Sequence, residues 1–105
     1  MQLIDRETLK AALDRGDPIK LVMTLDDWAF RAKHIPGSMP APDRGATEGL
    51  SPEDDIVVYC SGPDCAASQI AYAMLVANGF ERVRRYPGGI TDWEAAGYPL
   101  EGALV

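Results

Sequence analysis

An α/β domain built on a largely parallel sheet is the fold class this sequence predicts, and two observations carry it. Short β-branched or apolar runs alternate along the chain with segments of helical length and period, as they do where helices cross over between parallel strands. The 105 residues, 47% of them apolar, suffice for one core without a covalent staple. No repeat, low-complexity tract or second domain interrupts the pattern, so residues 1–105 are read as a single domain.

Asp5 can cap a first helix in which Leu9, Ala12 and Leu13 share a face, with Gly16 and Pro18 as its stop. "IKLVM" follows as a short buried strand, and "DDWAFRAK" as about two helical turns. Three prolines and two glycines make "HIPGSMPAPDRG" an irregular connection, and "EGLSPEDD" a polar linker. "DIVVY" has the strongest strand composition in the chain. In "CAASQIAYAMLVAN", Ala71, Met74, Leu75 and Asn78 keep helical spacing; Gly79 suits the left-handed position after the helix, which would fold Phe80 back onto Leu75. "ERVRRY" is a further strand and "PGG" a turn. Thr91 and Glu94 form a T-x-x-E capping box for a last helix, "DWEAA", ended by Gly97 and Pro99.

A net charge of -6 without a dense basic cluster argues against a nucleic-acid or anionic-membrane binder. Neither a signal-peptide pattern nor a run able to span a bilayer is present, so a cytoplasmic setting is expected. Thiols there are mostly kept reduced. A close cysteine pair is then more readily catalytic, redox-active or metal-binding than a permanent bridge.

That pair stands in "YCSGPDCAAS", directly after the strand "DIVVY". Cys60 would sit at the carboxyl end of that strand, where open parallel sheets bind ligands, and just before a helix. Free backbone N–H groups and the helix dipole lower the pKa of a thiol in such a place, which makes Cys60 the candidate nucleophile. Gly62 and Pro63 give a tight turn that lets backbone approach a ligand. A small buried cysteine ending a strand would fit the same position. Metal is disfavoured, because Cys60 and Cys65 supply two ligands and His34 is the only histidine; no cofactor is expected.

The ordered set "HIPGS", a strand ending in "VYC", a turn with an Ala-rich helix, "GF" and "YPGGITDWEAAGYPLEG" resembles the rhodanese-like domain family from about Leu21 to Gly102. The resemblance implies a mostly parallel sheet of about five short strands with helices on both faces. It also implies a sulfurtransferase in which Cys60 takes a sulfane sulfur as a persulfide, from thiosulfate or a small persulfide, and passes it to cyanide or a thiol. Ser61, Gly62, Pro63, Asp64, Cys65 and Ser68 match the turn that would surround the sulfur. A small sulfur donor and a thiol acceptor are the partners implied, with a thioredoxin-like protein as a candidate.

Three departures from the family pattern stand out. Met23 and Leu25 occupy the positions of an Asp-x-Arg pair common in the family. Ser68 comes about two residues late after the cysteine, with no arginine between. Residues 61–68 carry no Lys or Arg but do carry Asp64, which would disfavour a dianion such as thiosulfate or phosphate by roughly one to a few kcal/mol. The missing arginine also counts against phosphatase chemistry of the C-x5-R kind.

Asp64 has a second reading as a helix N-cap. Cys65 is read either as a packed residue or as the thiol that attacks a Cys60 persulfide, releasing sulfide. His34 resembles the family's structural histidine rather than a base, and Trp93 and Tyr98 read as core. Arg82, Arg84 and Arg85 would bring positive charge to the pocket if their strand end points that way, and otherwise form a solvated edge. Two rival functions stand beside the transferase: a non-catalytic rhodanese-like binding or regulatory module, and a dithiol oxidoreductase using Cys60 and Cys65.

Overall fold

The computed structural model describes residues 1–41 and 49–105. β1 (Ile19–Met23), β2 (Met39–Pro40), β3 (Asp55–Tyr59) and β4 (Val83–Tyr86) form one sheet in the order β2-β1-β3-β4, with every neighbouring pair parallel. α1 (Arg6–Asp14), α2 (Asp27–Ala32), α3 (Ala66–Ala77) and α4 (Gly89–Ala95) cover it from both sides. No helix of the described residues is long and apolar enough to cross a membrane.

β3 owes its central place to composition. Ile56, Val57, Val58 and Tyr59 are all buried, because a strand with neighbours at both edges and helices on both faces has no solvent side. Val57 and Tyr59 point into a cluster with Leu9 of α1, Trp93 of α4 and Ile35. Ile56 and Val58 point the other way, into a cluster with Leu75 of α3 and Phe80.

Local signals set several element ends. Asp5 caps α1 by accepting from the Thr8 N–H at 2.7 Å, and Asp26 caps α2 by accepting from Ala29 N–H at 2.9 Å. After α3, Gly79 has φ +89°, the Phe80 N–H donates to Leu75 O at 3.1 Å and the Gly79 N–H to Val76 O at 3.1 Å. This is the Schellman geometry expected of "NGF".

The structure corrects three expectations. Four strands are present among the described residues instead of five, since the amino-terminal segment meets β4 only through a Leu3–Arg85 bridge. The connection after His34 is not wholly irregular: Met39–Pro40 pair with β1 at the sheet edge, where proline's missing donor faces no partner strand. Its remainder, and the start of the polar linker, fall in residues 42–48, outside the described residues.

The third correction is at α4, which starts at Gly89, two residues before the predicted cap. Thr91 is therefore inside the helix, and Glu94 pairs with Lys33 at 2.8 Å instead of closing a capping box. The first donors of α4 are taken by backbone carbonyls from the turn after β3.

Candidate active site at the turn between β3 and α3

Cys60 directly follows β3 and is 1% exposed, and residues 61–65 form the turn that leads into α3. Four consecutive carbonyls of this segment are held by donors. Ile90 N–H donates to Cys60 O at 3.0 Å, Thr91 N–H to Ser61 O at 3.0 Å, and Cys65 N–H to Gly62 O at 3.2 Å. Arg85 Nη2 donates to Pro63 O at 3.0 Å. In a trans peptide the N–H points opposite its carbonyl, so pinning the carbonyls of residues 60, 61 and 63 turns the N–H groups of Ser61, Gly62 and Asp64 the other way. None of those three has a protein acceptor among the described residues. An arc of unpaired N–H groups is an anion-binding arrangement.

Gly89 is what lets α4 come close enough to hold this arc. Its φ is +64°, and a Cβ there would collide with the Cys60 carbonyl and come within 2.7 Å of Gly62 N. α4 is itself tied down through Asp92, which accepts from Arg6 Nη1 at 2.9 Å and from the Tyr86 hydroxyl at 2.6 Å. Burial first, then the adjacent carboxylate, hold the Tyr86 phenol well above its ordinary pKa, so it stays a donor.

The two cysteines meet. Their sulfur atoms lie in bonding contact as a disulfide pair, with Cα atoms 6.4 Å apart, a span that a bridge normally covers. Cys65 is the residue before α3 and its side chain makes no capping bond, so the packed-residue reading gives way to one in which it faces Cys60. It also displaces Asp64 from the cap position; Asp64 is exposed, and the N-cap reading of it is withdrawn.

Outside the turn lies an open depression of about 420 Å³, lined by Ser61, Gly62, Pro63, Asp64, Cys65 and Thr91. Among the described residues, no basic side chain lines it. Ser68 does not line it either; it is buried beneath the turn, where its hydroxyl accepts from Arg85 Nε at 2.8 Å. Among the three arginines of β4 and its approach, only Arg85 reaches the turn. Arg84 pairs with Asp55 at 3.0 Å, and Arg82 lies 3.9 Å from the same carboxylate, at the opposite end of β3.

His34 is placed as a structural residue. Its Nδ1 lies 2.7 Å from Phe30 O, its ring stacks on Phe30 at 4.0 Å, and its backbone pairs with Glu101 in both directions. Met23 is buried and Leu25 packs on the same apolar cluster, so hydrophobic contact stands where the resemblance places a charged pair. Trp93 is core, donating through Nε1 to Pro99 O at 2.9 Å between the edges of Tyr86 and Tyr98. Thr91 and Gly89 are site residues that the sequence reading missed. The second glycine of "PGG" was the available signal, taken only as a turn.

The model of the rhodanese-like domain matches residues 5–96. The chain belongs to the rhodanese-like domain family. Among solved structures, this rhodanese-like domain is similar to the BH2092 protein of Bacillus halodurans, with 31% identity, a TM-score of 0.89, and coverage of 98% of this chain and 78% of that one. It is similar also to the rhodanese-like domain of the Alr3790 protein of Anabaena sp., with 33% identity, a TM-score of 0.85, and coverage of 99% and 81%. A rhodanese-related protein of Thermoplasma volcanium shares the fold at 19% identity, with a TM-score of 0.78 and full coverage of both chains. No curated protein matches the chain. The family supports the sulfurtransferase superfamily as the general setting of this rhodanese-like domain.

Proposed function

We propose that the domain is a sulfurtransferase in which Cys60 carries sulfane sulfur as a persulfide, accepted from a small organic persulfide and handed to a thiol or cyanide. The observation that supports this reading is the set of N–H groups at Ser61, Gly62 and Asp64, left without a protein acceptor among the described residues and turned away from the donors that hold the carbonyls opposite them. Such a set stabilises a negatively charged sulfur before and after transfer.

In the first half-reaction the Cys60 thiolate attacks the outer sulfur of R–S–SH; the S–S bond breaks, Cys60–S–SH forms and RS⁻ leaves. An acceptor thiolate then attacks the outer sulfur of the Cys60 persulfide, forming R′–S–SH and regenerating the Cys60 thiolate. No net redox change occurs.

The contact between the cysteines favours a second exit. Cys65 thiolate attacks Cys60 Sγ, HS⁻ leaves with the former sulfane sulfur, and a Cys60–Cys65 disulfide remains. Two thiols are oxidised and one sulfane sulfur is reduced to sulfide. A dithiol protein of thioredoxin-like chemistry would then restore both thiols, which joins the dithiol-oxidoreductase reading to the transferase instead of opposing it.

The test supplies reduced protein with a small organic persulfide, with and without excess thiol acceptor, and measures transferred persulfide and free sulfide separately. Wild type should transfer to the acceptor and, without acceptor, release one sulfide per chain. Cys65→Ser should keep transfer and lose that sulfide burst. Transfer no faster than the protein-free reaction would sink the proposal.

Asp64 at the rim of the depression sets donor preference. A doubly charged donor meets a carboxylate there and, among the described residues, no cation on the lining side chains, so thiosulfate should be a poorer donor than a neutral or singly charged persulfide. Asp64→Arg should raise kcat/KM for thiosulfate about tenfold, with less effect on a small organic persulfide. An unchanged thiosulfate rate in that variant would show that rim charge does not select the donor.

A further inference from the structure

We propose that Arg85 is a positioning residue for Cys60, its guanidinium serving as the buried counter-cation of the Cys60 thiolate and persulfide; this rests on the reading of Cys60 as the sulfur carrier. Arg85 is 6% exposed and always charged. Its side-chain partners, Pro63 O and Ser68 Oγ, are both neutral, and no carboxylate pairs with it among the described residues. A cation buried without a counter-charge is destabilising, so an anion is expected close by in at least one state of the protein.

The sheet register shows where that anion stands. Arg85 pairs with Val58, so its side chain emerges on the α3 face of the sheet with that of Val58. Cys60 is two residues beyond Val58 and its sulfur contacts Cys65 at the start of α3, on that same face. The guanidinium therefore lies under the turn, linked to its crest at Pro63 and to the first turn of α3 at Ser68. With the cysteines bridged, the sulfurs are neutral and the cation has no counter-charge among the described residues. With Cys60 free as a thiolate or persulfide, it has one.

Among the described residues, the other charged groups around the turn cannot do this. Asp64 is exposed at the rim, Asp92 of α4 is engaged by Arg6 and Tyr86, and Met23 and Thr24 at the end of β1 carry no charge. Cys65, just before α3, is Cys60's own partner. The positive charge absent from residues 61–68 is thus supplied from β4 beneath them, where it acts on a sulfur at Cys60 and not on an anion at the rim. A cation in that place lowers the thiol pKa and makes Cys60 a better leaving group when its persulfide is attacked.

The chain has two cysteines, so in Cys65→Ser the thiolate ultraviolet absorbance, referenced to Cys60→Ser/Cys65→Ser, reports Cys60 alone. Its pKa should lie at least about one unit below the ordinary ~8.5 of a cysteine. Arg85→Met on the same background should raise it by about one unit or more, Arg85→Lys should fall between, and Ser68→Ala should leave it near the parent value. A parent pKa at or above ~8.5 overturns the proposal without any Arg85 variant. A folded Arg85→Met protein with an unmoved pKa overturns it as well.

If Arg85→Met does not fold, folded Arg85→Lys decides: a pKa raised above the parent value supports the role of the guanidinium, and an unmoved pKa contradicts it. The measurement needs no sulfur transfer. A depressed, Arg85-dependent pKa in a protein that transfers no sulfur would remove the functional reading alone. Normal transfer with an unmoved pKa would remove Arg85 alone.

Discussion

Replacing Gly89 by alanine is expected to destabilise the domain by about 2–4 kcal/mol and to lower sulfur transfer by at least about tenfold. Two effects combine. The backbone at φ +64° disfavours any side chain, and the new methyl group would be driven into the Cys60 carbonyl and against Gly62 N. Relief requires α4 to retreat from the turn, which breaks the bonds from Ile90 N–H and Thr91 N–H that orient the Ser61 and Gly62 amides. In a domain of this size the stability loss corresponds to a fall in Tm of roughly 10–20 °C. Thermal unfolding and transfer kinetics of Gly89→Ala check both parts; a Tm within two or three degrees of wild type, with full activity, would show that the turn does not depend on this close approach.

Cys60→Ser is expected to reduce persulfide transfer by more than about a thousandfold, to the level of the protein-free reaction. The hydroxyl is nearly isosteric and leaves the bonds of Arg85 to Ser68 and Pro63 in place. It cannot accept or return sulfur by exchange, because the nucleophile in that chemistry is a thiolate. Loss of activity without loss of Tm would therefore locate the effect in the sulfur. Steady-state transfer to a thiol acceptor, measured beside a thermal melt, separates the two.

Elements whose signals are local in sequence were legible before the structure. "DIVVY" needed only its composition, α1 only Asp5 and the spacing of Leu9 and Ala12, and the end of α3 only Gly79 with Phe80 two steps past the last full turn. The position of Cys60 at a strand end was legible for the same reason. Where local and tertiary demands compete, the local pattern misleads. Thr91 and Glu94 fit a capping box, yet the α4 donors Ile90 N–H and Thr91 N–H go to the carbonyls of Cys60 and Ser61, far away in sequence.

The support of the turn was hidden because it depends on pairing between segments. Nothing in "VRRY" by itself distinguishes Arg85 from Arg84; the register with Val58 does, placing one arginine under the turn and leaving the other to Asp55. Alternation offered a hint, since Arg85 shares a face with buried Val83. Likewise the contact between Cys60 and Cys65 follows from how tightly residues 61–65 reverse, which their spacing leaves open. The charge balance of the site changes with that information: the turn lacks basic residues, but the site does not.

The role proposed for Cys60 as the sulfur carrier has a direct test. Intact mass tests it most directly: reduced Cys65→Ser protein is exposed to a small organic persulfide, freed of donor, and weighed before and after cyanide. A gain of one sulfur atom per chain is expected, discharged as one thiocyanate, with no gain in Cys60→Ser/Cys65→Ser. A protein that gains no sulfur, or gains it equally without Cys60, would contradict that role.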